Sequence, residues 1–202
     1  MHAMTELQAE FSSPPNLSRM SRLRDGALQA HRRLEMSICM QRLFASDYSL
    51  AEYCQWLVRI LGFIEPLERA MAAYSHDVVR LGCDRSSCLR ADLDMLGVDD
   101  SVWLHAAQSK LRMRLSCPAV RIGLVYALES AGSNGAIIHR ALTKQLGPSV
   151  NAAVSYFDCY PGYRGRVWSR LGDKIDTLST FDVETSISAT QEVLGNLADW
   201  LR

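Results

Sequence analysis

Apolar residues recur at steps of three and four along most of the chain, which is the spacing of one face of an α-helix. The clearest case follows Ser49 and Glu52, whose spacing is that of a capping box at a helix start. Its broad apolar face consists of Leu50, Tyr53, Cys54, Leu57, Ile60, Leu61 and Ile64. No segment alternates apolar and polar residues convincingly enough to predict a strand. The pattern therefore predicts an all-α protein built as a compact multi-helix bundle.

Turn-forming residues between the apolar faces set the expected helix boundaries. Gly97, the Gly147-Pro148 pair and a turn-rich stretch at 160–165 separate the predicted helices. Pro66 is expected to kink or restart the helix that contains it. The predicted helices span about 17–45, 50–74, 89–96, 99–115, 118–146, 149–158, 167–178 and 183–201.

Composition predicts one globular domain. The chain has 202 residues, 48% of them hydrophobic, and a chain of that size buries roughly 70% of its unfolded surface. Residues 1–17 are polar and contain Ser-Ser-Pro-Pro, so we expect a flexible N-terminal tail. A single helical domain is predicted for 18–202.

Charge and cysteine usage narrow the function classes. The 22 basic and 22 acidic residues give a net charge of zero, which argues against a nucleic-acid partner bound by phosphate neutralisation. The six cysteines show no zinc-binding spacing and are expected to be free thiols in a reducing cytosol. The chain shows no signal peptide, and no run approaches the ~20 apolar residues of a membrane span. We therefore expect a cytoplasmic protein with no membrane partner.

The stretch from Leu23 to Glu35, read LRDGALQAHRRLE, carries the most chemical interest. His31 shares a predicted helical stripe with the apolar residues Leu23, Ala27, Ala30, Leu34 and Ile38. A neutral imidazole on a rigid helix is a good ligand for a metal or for haem iron. Glu35 follows one turn later, where its carboxylate can accept a hydrogen bond from the other ring nitrogen. On spacing alone, a core histidine satisfied by a nearby glutamate is the alternative.

LRDGALQAHRRLE resembles the proximal-helix signature of the haem oxygenases, in which a Leu-Arg pair precedes a histidine and a glutamate follows four residues later. Three further segments are similar to the bacterial members that accompany bacteriophytochromes. They are 89–97, the stretch opening at 126–129, which resembles the distal helix, and 165–171 with Trp168, which resembles the next-to-last helix. These patches span most of the chain after the first twenty residues, and they imply the haem oxygenase fold.

The resemblance implies an enzyme that cleaves haem to biliverdin, ferrous iron and carbon monoxide, with haem as both prosthetic group and substrate. Electrons would come from a ferredoxin, a flavodoxin or a reductase, and a bacteriophytochrome is an expected recipient of the biliverdin. His31 would be the axial iron ligand, and Glu35 would orient it. Arg24, Tyr126 and Arg166 are expected near the haem propionates, because guanidinium and phenol groups suit carboxylates.

One predicted helix carries Gly123, Gly132 and Gly135, although an isolated helical glycine costs roughly 1 kcal/mol relative to alanine. In haem oxygenases the distal helix bends at glycines and lies against the haem face. Ser130, Asn134 and Gly135 are therefore expected to shape the oxygen pocket, and Gly132 to contact haem. Ser130 and Asn134 replace glycines usual in the bacterial members, which adds two side chains. The alternative is that the glycines only allow close helix packing.

Two other functions stay open. The side chains at Ser130 and Asn134 suggest a catalytically altered relative that binds haem or a bilin as a sensor, or that serves as an interaction module. A third possibility is a different ligand, because His31 and Glu35 would be half of a metal site, although no second Glu-x-x-His pair completes it. The remaining histidines are interpreted as structural, surface or tail residues: His2, His76, His105 and His139.

Overall fold

The computed structural model describes residues 18–74, 84–104, 106–159 and 164–202, with only the backbone described at 149 and 164. The helices in these ranges are α1 (Arg19–Glu35), α2 (Ile38–Arg42), α3 (Leu50–Ala72), α4 (Arg85–Met95), α5 (Asp100–Leu104), α6 (Pro118–Ala131), α7 (Gly135–Leu146), α8 (Arg164–Asp176) and α9 (Thr180–Trp200). A short 3-10 turn spans Pro148–Val150. These ranges contain no strand, which confirms the all-α class. The predicted tail at 1–17 lies outside them.

Two of the predicted long helices are each divided in two. The helix predicted at 17–45 ends at Glu35, where the Met36 and Ser37 N–H groups bond to the carbonyls of Arg32 and Leu34. The helix predicted at 118–146 stops at Ala131 and resumes at Gly135. Two further predicted helices are much shorter, because the 99–115 segment is helical only at Asp100–Leu104 and the 149–158 segment consists mainly of turns. Conversely, Pro66, which was expected to kink or restart its helix, lies inside the continuous helix α3.

The capping box predicted at the start of α3 is present. The Ser49 hydroxyl accepts a hydrogen bond from the Glu52 N–H at 3.2 Å, and the Glu52 carboxylate accepts one from the Ser49 N–H at 2.9 Å. Arg42 also donates to Glu52 at 2.6 Å, which joins α2 to α3. Hydrogen bonds from Arg42, and then from Ser49, lower the pKa of Glu52 to about 2.

Helix α9 packs against both α1 and α6, and Gly123 allows the second contact. A Cβ atom at Gly123 would lie 2.4 Å from the Ser186 carbonyl oxygen and 2.8 Å from the Ala189 Cβ. The Thr190 hydroxyl donates to the Gly123 carbonyl at 3.0 Å, and the Ser186 hydroxyl donates to the Ala119 carbonyl at 2.8 Å. At Gly123, close helix packing is therefore the observed use of the missing side chain.

Polar contacts hold α1 beside α9 along its length. Arg22 pairs with Glu184 at 2.5 Å, and Gln191 donates to the Gly26 carbonyl at 2.7 Å. Because exposed ion pairs are worth only about 0–1 kcal/mol, these contacts set orientation more than stability. Another side of α1, which bears Arg24 and Leu28, stays exposed.

A buried ion pair fixes α6 against α4. Arg85 lies 3.0 Å from Glu129, and their side chains are only 4% and 2% exposed. Glu68 on α3 accepts hydrogen bonds from the backbone N–H groups of Arg85 and Ser86 and from the Ser86 hydroxyl. These polar groups hold α3, α4 and α6 together, and the sequence analysis did not single them out.

Two further predictions concern the oxidation state of the cysteines and the presence of membrane-spanning helices. The cysteines in the described residues are free thiols: Cys39, Cys54, Cys88, Cys117 and Cys159. The sixth, at position 83, lies outside the described residues. Among the helices described, none has both the length and the apolar character needed to cross a membrane.

Candidate functional site

The buried face of α1 is narrower than the predicted stripe. Leu23, Ala27 and Leu34 are buried in the core, with exposed fractions of 0%, 0% and 3%. His31 is only partly buried and lies at the border of this face. Ile38 is 77% exposed, because α1 ends before it and α2 starts in another direction. The structure thus corrects the placement of His31 from within the apolar stripe to its edge.

A second stripe runs beside the buried one and consists of Arg24, Leu28, His31 and Glu35, which we call the cleft stripe. These residues follow one another at steps of four, three and four, so they line one side of the helix. Arg24 and Glu35 are exposed, His31 is partly exposed, and Leu28 keeps 43% of its surface accessible. Sequence reasoning missed Leu28, although its spacing from Arg24 and His31 carries the signal.

Aromatic rings connect the cleft stripe to α6 and α8. The His31 and Tyr126 rings meet edge to face, with centroids 6.4 Å apart and planes at 79°. Tyr126 and Trp168 meet in the same way, at 5.7 Å and 82°. Burial raises the pKa of Tyr126, and the nearby Arg24 charge opposes that rise. Three sequence-predicted elements, α1, the start of the distal-like segment and α8, therefore meet at one place.

His31 is held in a state suited to metal ligation. Burial lowers the pKa of His31 below its ordinary value of 6.5, while the negative charge of Glu35 opposes this shift. This shift favours the neutral ring, which has a lone pair to offer. Because the unfolded chain binds this proton more readily, His31 contributes stability that is present above pH 6.5 and is lost as the pH falls below 6.5 to the lower pKa of the folded state.

Glu35 makes a different contact from the predicted one. The described structure has no hydrogen bond between Glu35 and His31. The Glu35 carboxylate instead accepts a hydrogen bond from the Asn134 side-chain amide at 3.1 Å. Gln41 donates to the Glu35 carbonyl at 2.7 Å, which fixes the end of α1. Glu35 therefore acts on His31 through its charge, and Asn134 joins α1 to the break between α6 and α7.

This charge effect gives a direct prediction. Replacing Glu35 by glutamine removes the one influence that raises the His31 pKa, so the pKa should fall further below 6.5. A histidine-detected NMR titration measures the shift. Asp25→Asn, which changes an exposed carboxylate on the same helix, is the matched control and should move the His31 pKa less. A His31 pKa that rises in the glutamine variant would contradict this electrostatic account.

The segment from Ser130 to Gly135 contributes less side-chain chemistry than predicted. The Ser130 hydroxyl is buried and donates to the Ala127 carbonyl of its own helix at 3.1 Å. A Cβ at Gly135 would lie 2.6 Å from the Phe157 carbonyl oxygen, so this glycine allows close backbone packing. A Cβ at Gly132 would meet only its own helix, at 3.6 Å and beyond. Of these glycines, Gly132 is the one at which an added Cβ would make only ordinary contacts.

A small apolar cavity lies under the α6–α7 break. The cavity has a volume of about 20 Å³ and is lined in part by Leu34, Trp56, Gly132, Gly135 and Ile138. This is room for about one water molecule, far below the size of a porphyrin. A large flat ligand at this site would therefore lie outside this cavity, on the exposed side of α1 that bears His31.

The other predicted residues have more peripheral positions. Arg24 is exposed and lies 3.4 Å from Asp25, and Arg166 is exposed on α8, two residues before Trp168. His139 is partly buried on α7, whereas positions 2, 76 and 105 lie outside the described residues. Within those described, no group of three or more His, Cys, Asp or Glu side chains is arranged to hold a metal ion.

The chain was compared with models of known protein families and with curated proteins, and neither comparison gave a match.

Proposed function

We propose that this protein is a haem oxygenase that binds haem beside His31, between α1 and α6. One observation carries the proposal: the partly exposed His31 ring of the cleft stripe, whose pKa is lowered by burial, meets the Tyr126 ring, which in turn meets Trp168. A neutral helical imidazole is a good haem-iron ligand, and the helix that bears it has the Leu-Arg…His…Glu pattern of a proximal helix.

The residues present fit such a ligand in several respects. His31 would bind the iron, and Gly132 adds no side chain to the α6–α7 break that Asn134 joins to α1. Arg24 and Arg166 are exposed cations suited to the propionates. When bound, haem supplies the iron at which oxygen is activated.

The protein's own residues would control orientation and water. Burial lowers the pKa of His31 and so favours the neutral ring, which can bind iron. Asn134 holds the Glu35 carboxylate at the end of α1, and Ser130 directs its hydroxyl into its own helix. The Ser130 proton is therefore engaged within α6.

The proposal includes a reaction and its partners. The products would be biliverdin, ferrous iron and carbon monoxide. Electrons would come from a ferredoxin, a flavodoxin or a reductase, and a bacteriophytochrome would be the natural recipient of the biliverdin. A cytoplasmic location is part of the same proposal.

A second candidate is a sensor or interaction module that binds haem or a bilin without cleaving it. The hydrogen bond from Asn134 to Glu35 favours this candidate, because it ties the end of α1 to the break between α6 and α7. The buried Ser130 hydroxyl also adds bulk to α6 where the resembling family usually has glycine.

A haem titration followed by aerobic reduction tests the proposal. Hemin is titrated into the protein, and ascorbate is then added in air while absorbance is followed. A histidine-ligated spectrum that converts to that of biliverdin supports the oxygenase. A stable haem spectrum supports the second candidate, and the absence of saturable binding refutes both.

Replacing Asn134 by glycine is expected to speed hemin uptake. The change removes one hydrogen bond worth about 0.5–1.5 kcal/mol, so the association rate should rise by roughly 2- to 10-fold. Stopped-flow absorbance measures that rate. Asn151→Gly is the matched control, because Asn151 is also exposed and accepts one side-chain hydrogen bond, from Thr143. A large loss of both affinity and turnover in the Asn134 variant would instead show an adapted role for that side chain.

A further inference from the structure

A basic segment follows α5. Residues 107–114 have neither helix nor strand, and their alternating burial indicates an extended chain. The side chains alternate, since Ser109 is buried and Leu111 and Met113 pack against the core, while three cations between and after them are exposed: Lys110, Arg112 and Arg114. In an extended chain alternate side chains share one face, with roughly 6.6–6.8 Å between neighbours. The segment therefore presents a row of positive charges.

None of these cations forms an ion pair with a described residue. The one hydrogen bond from the row goes from the Arg112 guanidinium to the Leu111 carbonyl at 3.2 Å. Three like charges in one row repel each other, and no carboxylate in the described structure neutralises them. An anionic partner would remove this repulsion.

The backbone of the same segment has a free edge. The N–H groups of Ser109 and Leu111 are used inside the protein, by the Gly62 carbonyl at 2.8 Å and the Ser109 hydroxyl at 3.2 Å. The N–H and C=O groups of Lys110 and Arg112 form no hydrogen bond with the described residues. In an extended chain the N–H and C=O groups of successive residues point to opposite edges, so the unused groups of Lys110 and Arg112 share the outer edge.

A groove of about 550 Å³ lies beside this edge. Its first wall is the 109–112 segment, and its second wall is the α9 surface that includes Glu192, Asn196 and Asp199. Asp199 is paired with Arg33 at 2.5 Å and with Arg202 at 3.1 Å. Glu192 has no ion-pair partner in the described structure, so it is the groove carboxylate that opposes an anionic ligand.

We propose that this groove binds an extended acidic peptide of a partner protein, which adds to the 109–112 edge as a strand. The free backbone groups of Lys110 and Arg112 would pair with the peptide backbone, and the cation row would meet carboxylates at alternate positions. This inference is independent of the haem proposal. The phosphates of a nucleic acid could also neutralise the cation row, but a nucleic acid has no peptide groups that could pair with the free edge. Backbone pairing therefore distinguishes a peptide from a nucleic acid.

Fluorescence anisotropy with defined peptides tests the proposal on the full chain. The probe is a labelled peptide of three Glu-Thr repeats, and two comparison peptides have the same composition. One groups the glutamates in a block, and the other is N-methylated at alternate amides. We expect both to bind at least about tenfold more weakly than the probe, because one loses the charge spacing and the other the backbone pairing.

Protein variants test the groove itself. Lys110→Glu/Arg112→Glu/Arg114→Glu should weaken binding at least about tenfold. The control Arg140→Glu/Lys144→Glu/Lys174→Glu reverses three exposed helical cations and should change binding less than about twofold. Glu192→Gln should strengthen it. Circular dichroism checks that each variant folds.

Three results would overturn the proposal. The first is that the probe shows no saturable binding, and the second is that both triple variants weaken its binding equally. The third is that the N-methylated peptide binds as tightly as the probe. If oligothymidylate displaces the probe and binds with the same affinity, the cation row would instead be assigned to nucleic-acid binding.

Discussion

Replacing His31 by alanine should lower hemin affinity by at least about tenfold, or about 1.4 kcal/mol, and should abolish turnover. The reason is that the imidazole is the only nitrogen ligand for iron in the cleft stripe, whose other members are Arg24, Leu28 and Glu35. Folding stability should change by less than about 1 kcal/mol, because His31 is partly exposed. Hemin titration and thermal unfolding measure the two effects separately.

His139→Ala is the matched control for this substitution. His139 is also partly buried and lies on α7, one turn after Gly135. The control should retain both the hemin spectrum and turnover. The proximal assignment is wrong if the His31 variant keeps the wild-type spectrum, or if the His139 variant loses it.

Replacing Gly123 by alanine should cause a large loss of stability. The new Cβ would meet the Ser186 carbonyl oxygen at 2.4 Å, and backbone atoms in two packed helices yield only when a helix shifts. Overpacking of this kind costs about 1–3 kcal/mol or more, which exceeds the gain of roughly 1 kcal/mol in helix propensity. At about 2–4 °C per kcal/mol for a chain of this size, the melting temperature should fall measurably.

Gly132→Ala is the informative counterpart, because the same added methyl group meets only ordinary contacts with its own helix. The backbone at Gly132 is also right-handed, with φ of −83°. Its melting temperature should stay equal or rise. A Gly132 variant less stable than the Gly123 variant would contradict the assignment of close packing to Gly123 and ordinary contacts to Gly132.

Much of the fold follows from local patterns. The capping residues Ser49 and Glu52 and the apolar face of α3 are short-range features, so the predicted helix start matches the observed one. The ends of the last two helices, α8 and α9, also lie close to their predicted positions. In these places local propensity and tertiary packing agree.

The errors occur where distant parts of the chain decide the structure. The helix predicted at 99–115 ends early, and its second half runs extended beside α3, where the Ser109 N–H bonds to the Gly62 carbonyl at 2.8 Å. The Cβ of any other residue at position 62 would lie 2.2 Å from the Ala107 carbonyl. Helical periodicity in one segment contains no information about a contact of this kind.

In the candidate site, too, local spacing predicts some residues, whereas contacts between distant parts of the chain were not predicted. His31 and Glu35 were singled out because they lie one turn apart, and Tyr126 because of the resemblance, whereas Trp168 was noted only as part of segment 165–171. The contact from Asn134 to Glu35 joins residues 99 positions apart. It turns Glu35 away from the predicted hydrogen bond with His31, and no spacing rule predicts it.

Resonance Raman spectroscopy of the ferrous haem complex tests the central claim most directly. We predict an iron–histidine stretching band that shifts when the protein's histidines carry nitrogen-15. The band should disappear in His31→Ala and persist in His139→Ala. A band that remains in the His31 variant, or a wild-type complex without any histidine-sensitive band, would contradict the account.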